Sequence, residues 1–269
     1  MIADLVLNDS SLLPAVGFGL FQVPPEITEQ VVSDGFAAGY RLLDGAEFYA
    51  NEVEAGRALA RVDRSGLRVA SKFWGEQSQD RDAVLRSFDT SEQALGGLDI
   101  YLIHWPRASR NQYVDVWRTL IELREAGRVR TIGVSNFTKV HLRRIIEETG
   151  VAPAINQVET HPWLPQHELR AFHAEHGIVT QAWSPLGRGR LLSEPRLAAI
   201  AERHGVSVAQ VIVRWHVQLG GAVLPRSTKP ERLASNRDIE GFTLSEQDMA
   251  EIAALENGQR TGSHPDDRQ

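Results

Sequence analysis

The sequence predicts an α/β fold, a (β/α)8 TIM barrel entered through an N-terminal β-hairpin. Three observations predict it. Eight short β-like runs alternate with amphipathic helical patterns along the whole chain. The spacing, about 34 residues per unit from 269 residues over eight, suits parallel strands joined by crossover helices. The glycine fingerprint of the rival doubly wound nucleotide fold is missing, because GFGLFQ at 17–22 has Gln22 where a third glycine belongs.

The elements follow in order. Leu5, Val6 and Leu7 face Leu12 and Leu13 across Asn8, Asp9 and Ser10, turn-forming residues that predict the hairpin. The strands are read at 16–19, 41–44, 68–72, 100–104, 131–135, 154–159, 180–183 and 222–225. Apolar positions recurring at three and four residues predict helices at 27–38, 83–95, 113–125, 140–148 and 168–176. Ser207 and Gln210 make a capping box ahead of VIVRWHVQL, and Gly220 and Gly221 stop that helix. Residues 256–269 lack any apolar period and read as a polar tail lying over the surface or partly disordered. No linker or repeat divides the chain, so one domain spanning 1–269 is expected.

Composition narrows the function. With 29 basic and 35 acidic residues the formal charge is −6, which argues against a general affinity for nucleic acid or anionic lipid. There are no cysteines, so disulfides, thiolate nucleophiles and thiolate metal sites are excluded. The first 21 residues show neither a cationic n-region nor a long apolar run, and a cytoplasmic protein with no membrane segment is expected. Only three of the 29 cations are lysine. One of them, Lys72, closes an apolar run, where a compact and tunable charge has a use.

Barrels collect their chemistry at the carboxyl ends of the strands. Those positions carry Asp44, Lys72, His104, Asn136, Gln157, Trp183 and Arg226. Each alone has a plain structural reading, a cap, a satisfied core histidine or a packing indole; their common placement on one barrel face makes them a site. Asp44, Tyr49, Lys72 and His104 supply a carboxylate, a phenol, an ammonium and an imidazole, with no serine or cysteine paired to a base. A Lys72 cation beside Tyr49 is expected to lower the phenol pKa and make it a general acid and base, with Asp44 holding the lysine. His104 suits the polarising of a carbonyl oxygen. Protonation of an incipient alkoxide points to carbonyl reduction, whose hydride must come from a cofactor.

The segments LLDGAEFYANE, SKFW, LIHWP, IGVSNF, INQVE, WSPLGRG and LPRSTKPERLASN, with a closing SHPD, resemble in order and over nearly the whole chain the aldo-keto reductases. The likeness is strongest to their prokaryotic branch, which contains the 2,5-diketo-D-gluconate reductases. The resemblance implies a catalytic tetrad of Asp44, Tyr49, Lys72 and His104 and NADPH/NADP+ as cofactor. It places Ser135, Asn136 and Gln157 on the nicotinamide carboxamide and Trp183 on the nicotinamide ring. Ser184 to Arg190, with Leu186 among them, falls beside the pyrophosphate. Arg226, Ser227, Thr228 and Arg232 suit a 2′-phosphate, favouring NADPH over NADH, and Asn236 matches an adenine contact. Three departures stand out: Ser235 replaces a common Glu, Gly45 replaces a usual Thr, and the stretch between Tyr49 and Lys72 is slightly short.

Phe21, Phe48, Trp74 and Trp105 sit beside the site motifs and suit the wall of a substrate pocket for small aldehydes, ketones or keto-sugars. Arg107 and Arg110 read as solvated loop charge, with attraction of an acidic substrate as the other reading. A cofactor-binding regulatory or sensing subunit with little turnover is the alternative function. His161, His167, His173 and His176 read as surface residues rather than a metal site. A monomer with a small-molecule substrate, no nucleic-acid partner and no metal is expected.

Overall fold

A computed structural model describes residues 2–268. It opens with strands β1 (Leu5–Val6) and β2 (Leu12–Leu13), antiparallel, with Leu5 opposite Leu13. The turn between them passes through Ser10 in the left-handed region and is tied down by Asp9, which accepts from Ser11 and from Thr131 Oγ1. Leu7 and Leu13 are buried with Leu42, Leu102 and Ile155, so this hairpin plugs the amino-terminal end of the barrel.

Eight parallel strands follow: β3 (Phe18–Gly19), β4 (Leu42–Asp44), β5 (Arg68–Phe73), β6 (Ile100–Ile103), β7 (Thr131–Ser135), β8 (Ile155–Glu159), β9 (Val179–Trp183) and β10 (Ala222–Val223). The barrel closes where β10 meets the chain ahead of β3. Gly17 N–H donates to the Val223 carbonyl at 3.0 Å, and Val223 N–H donates to the Ala15 carbonyl at 2.9 Å. The strand expected over 222–225 is short because Leu224 makes the last ladder bond, to Ala182, and Pro225 has no N–H to continue it.

The helices are α1 (Pro25–Ala37), α2 (Glu52–Leu59), α3 (Arg81–Leu95), α4 (Tyr113–Glu125), α5 (Lys139–Thr149), α6 (His167–Glu175), α7 (Pro195–His204), α8 (Val208–Gln218), α9 (Pro230–Arg237) and α10 (Glu246–Ala253). The capping box of Ser207 and Gln210 forms as expected at the start of α8. Helix α2 explains the short stretch after Tyr49: it has 8 residues and packs so closely on α3 that a Cβ at Gly56 would lie 1.8 Å from the Ala94 carbonyl oxygen. The largest apolar cluster, around Phe88, Tyr101, Trp117 and Phe137, fills the space between the strands and α3 to α5.

The polar tail does not lie loose on the surface. Asn257 and Gly258 N–H groups bond the Trp163 carbonyl, Thr261 and Gly262 bond Glu159, and residues 265–267 form a 3-10 turn. Among the described residues no helix is long and apolar enough to cross a membrane.

Candidate active site

Asp44 ends β4, Lys72 is the penultimate residue of β5, and His104 follows β6. A 3-10 turn over Glu47–Tyr49, closed by Ala50 in the left-handed region, swings Tyr49 back over Lys72. Asn136 follows β7, Gln157 lies two residues inside the end of β8, and Trp183 ends β9. A cleft of about 840 Å³ opens at this end of the barrel. Every site residue named from the sequence lines it except Lys72, which lies fully buried beneath. Non-glycine residues with positive φ gather at its rim, at Gln22, Asn136, Ser184 and Arg188. Such backbone strain persists where the surrounding fold over-determines it, and it concentrates at sites.

The proton chemistry rests on Lys72. Its Nζ donates to Asp44 Oδ2 at 2.8 Å, to the Gly45 carbonyl at 2.7 Å and to Tyr49 Oη at 3.3 Å, which uses all three ammonium protons. Asp44 Oδ1 accepts from Gln157 Nε2 at 2.7 Å, and the same amide donates to Gln181. Burial opposes the Lys72 charge, but Asp44 and Tyr49 outweigh it and hold the pKa above the usual lysine range. Tyr49 departs from the expectation. Its ring is half-buried and its hydroxyl is turned inward; desolvation pushes its pKa up to about 12, with Lys72 pulling against that rise. The phenol thus stays protonated at neutral pH.

His104 is buried, and its pKa is driven well below the usual histidine value by burial and then by Lys72, Arg268 and Arg107. It is neutral. Its Nδ1 is buried without a hydrogen bond among the described residues, so the Nε2 edge is the one open to the cleft. The rings of Tyr49 and His104 stand 5.8 Å apart and edge-on. Around them Phe21 lies 5.3 Å from Tyr49, Phe48 stacks on Trp74 at 4.0 Å, and Trp74 lies 5.0 Å from His104. Three of the four aromatics named for the pocket wall thus surround Tyr49 and His104, and Trp105 lines the same cleft.

The other end of the cleft is built for anions. Arg188, Arg226, Lys229 and Arg232 line it, and none is ion-paired with a carboxylate among the described residues. Ser227, Thr228 and Asn236 lie beside them, and Arg226 reaches across the cleft to Gln22 Oε1 at 3.4 Å. Unpaired guanidinium forks with adjacent hydroxyls match a phosphate monoester. Between the two ends, Ser135 Oγ donates to the Gln157 carbonyl, and Asn136 donates to the His104 carbonyl and to Ser135 while accepting from Trp183 Nε1 at 2.8 Å. Gln157 Oε1 has no hydrogen bond among the described residues and is an acceptor suited to an amide N–H. The donor set fits a phosphorylated dinucleotide lying along the cleft.

Sequence reasoning missed two residues at this mouth. Glu159, the last residue of β8, is buried and accepts from His161 Nε2, from Thr261 N–H and Oγ1, and from Gly262 N–H. Burial alone would raise its pKa, but these bonds hold it at about 2. The tail is thereby fixed against Trp183, where a Cβ at Gly262 would come within 2.4 Å of the indole. Arg268, at the far end of that tail, also lines the cleft. The position of Glu159 at a strand end was its one signal in the sequence.

Two expectations are corrected. His161 and His173 are buried, not surface residues. His173 bonds Asn156 and Thr180 through its two ring nitrogens, and burial pushes its pKa down to about 3, so a neutral, satisfied ring sits in the core. His167 and His176 keep partial exposure. Among the described residues no group of acidic or histidine side chains is arranged to hold a metal. Arg107 and Arg110 are structural cations rather than solvated loop charge. Arg107 is buried over the Trp74 ring and bonds its carbonyl, while Arg110 bonds the Gly75 and Glu76 carbonyls.

Fold and site together define a class, the barrel oxidoreductases with a dinucleotide cleft at the carboxyl ends of the strands. A sequence model described as the aldo/keto reductase family matches residues 15–257, and the chain belongs to that family of NADP(H)-dependent oxidoreductases. An "Aldo-keto reductase" of Mycobacterium sp. (strain KMS) is 51% identical over 98% of this chain and 98% of its own length. The "2,5-diketo-D-gluconic acid reductase B" of Corynebacterium sp. (strain SHS752001) is 44% identical, covering 98% of this chain and 97% of its own. A variant of Gox0644 crystallised in complex with NADPH superposes with a TM-score of 0.95 at 41% identity, covering 98% of each chain.

Proposed function

We propose that this chain is a carbonyl reductase that converts small aldehydes, ketones or keto-sugars to alcohols with NADPH, Tyr49 giving the proton. The observation that carries the reading is the Lys72 network. Because Lys72 spends its three protons on Asp44, Gly45 and Tyr49 Oη, the tyrosine accepts from the lysine and keeps its own proton free for a ligand in the cleft. When bound, NADPH supplies a hydride to the carbonyl carbon.

The protein groups do the rest. Tyr49 Oη and the Nε2–H form of neutral His104 bind the carbonyl oxygen from two directions, polarising it. As negative charge grows on that oxygen, the Tyr49 proton transfers to it, and Lys72 stabilises the phenolate left behind. Asp44 keeps Lys72 charged and aimed. The aromatic wall of Phe21, Phe48, Trp74 and Trp105 excludes water from the reacting end and accepts short apolar or sugar chains. Ser135, Asn136, Gln157 and Trp183 position the carboxamide end of the cofactor, and Arg226, Ser227, Thr228 and Arg232 hold its 2′-phosphate. Ser184 and Leu186 flank the pyrophosphate, and Asn236 meets the adenine. The substrate class is supported by the 44% identical relative named for 2,5-diketo-D-gluconic acid.

The test is isotopic. Incubated with an aldehyde and NADPH in which both nicotinamide C4 hydrogens are deuterium, the protein is expected to yield an alcohol with one deuterium on the carbinol carbon. An alcohol free of label, or no alcohol from any of a panel of aldehydes and ketones, would overturn the reading.

A further inference from the structure

The substrate end of the cleft holds a cation that proton transfer does not use. The Arg268 guanidinium lies 5.1 Å from the Trp74 ring and 5.7 Å from the Trp105 ring, and it lines the cleft. Trp74 stands 5.0 Å from His104, which puts Arg268 within one ring of the group that holds the carbonyl oxygen. The depressed His104 pKa, to which Arg268 contributes, is consistent with that closeness.

The other cations near this end are committed. Lys72 is bound to Asp44, and Arg107 is buried against the Trp74 carbonyl and ring. Arg268 is half-exposed and has no carboxylate partner among the described residues. The nearby carboxylates look elsewhere: Asp266 faces His141 and His264 at 3.7 Å, and Glu76 accepts from Trp74 Nε1 at 2.8 Å. A guanidinium within cation–π reach of two indoles and without a carboxylate partner among the described residues retains the N–H donors that a bidentate carboxylate pair uses. The Glu159 bonds to Thr261 and Gly262 hold the tail that carries it.

We infer that Arg268 is the specificity-determining residue of this site, selecting carbonyl substrates that carry a carboxylate a few bonds from the reacting carbonyl. The inference rests on the carbonyl-reductase reading and assigns its substrate class. The carboxylate pairs with Arg268 while Tyr49 and His104 hold the carbonyl oxygen.

The experiment compares 3-carboxybenzaldehyde with 3-formylbenzamide, which differ in charge and hardly in shape, on the wild type, Arg268→Gln and Arg268→Lys. The wild type is expected to favour the acid. In Arg268→Gln the ratio of kcat/KM for acid over amide falls about tenfold, through KM, and Arg268→Lys keeps part of the preference. An unchanged ratio, or a wild type that favours the amide, overturns the assignment while leaving carbonyl reduction intact. A second readout is independent of turnover: quenching of tryptophan fluorescence by isophthalate, against isophthalamide, in the NADP+ complex. Saturable quenching by the dianion that weakens about tenfold in Arg268→Gln supports the assignment, and equal quenching in both proteins defeats it. Should neither aldehyde be reduced, the panel of aldehydes and ketones decides the reductase reading, and the titration still decides on Arg268.

Discussion

At the residue scale, the site is a lesson in what a neighbouring charge does and does not accomplish. Asp44, Tyr49, Lys72 and His104 were legible in the sequence because each is a polar group closing or following an apolar run on one barrel face. The direction of the Tyr49 shift was not legible, since a sequence shows the neighbouring cation but not the depth of burial. The structural values determine a pH profile. Tyr49, raised to about 12, stays protonated and His104, held well below its usual value, stays neutral. The rate of reduction, kcat/KM, is expected to vary by less than about twofold between about pH 6 and about pH 9; a steep loss below about pH 8 would show a group of ordinary pKa at work. The Lys72 to Asp44 pair yields a second expectation. Lys72→Met leaves a buried carboxylate without its counterion and costs about 3–5 kcal/mol by urea denaturation. Adding Asp44→Asn restores most of that stability without restoring turnover, because the phenolate still lacks a cation.

At the scale of elements, the strands, five periodic helices and the capped α8 were readable, whereas α2, α7, α9 and α10 were not. Helices α2, α9 and α10 have 8 residues each, too few for a period to stand out. The tail offered composition alone, so its anchorage by Glu159 and the placement of Arg268 had no pattern to betray them. Spacing likewise put His173 among surface histidines, although its ring nitrogens are satisfied by Asn156 and Thr180 in the interior. Gly56→Ala is expected to force α2 from α3 and to lower stability by ~1–3 kcal/mol, read as a drop in Tm. The tail latch depends on pH with a definite sign. Glu159 is held at about 2, below its ordinary 4.5, so its contribution is present above about pH 4.5 and is lost as pH falls toward 2. Protection of the Thr261 and Gly262 amides, taken against the intrinsic exchange rate at the same pH, is expected to fall over that range, and Glu159→Gln is expected to show low protection already at pH 7. Equal exchange in variant and wild type would show the tail is held by something else.

At the scale of the molecule, barrel closure and charge distribution set the function. The hairpin fills one end, and the carboxyl ends of eight strands open onto a cleft whose two halves differ in kind, aromatic around Tyr49 and cationic around Arg226, Lys229 and Arg232. That division was visible in the sequence as two separate motif groups; only closure of β10 on the chain ahead of β3 brings them onto one surface. The net charge of −6 makes these unpaired cations a local exception that favours an anionic cofactor. Arg226→Ala and Arg232→Ala are each expected to weaken NADPH binding about tenfold while changing NADH binding far less. Equal losses for both cofactors would remove the 2′-phosphate from their role.

Whether Tyr49 donates the proton in carbonyl reduction is read from NADPH oxidation at 340 nm in the wild type and in Tyr49→Phe, with NADPH affinity measured on the same samples. Turnover in the variant is expected to be lower by about 10²–10⁴-fold, with NADPH binding retained. A variant that reduces carbonyls as fast as the wild type would contradict that role.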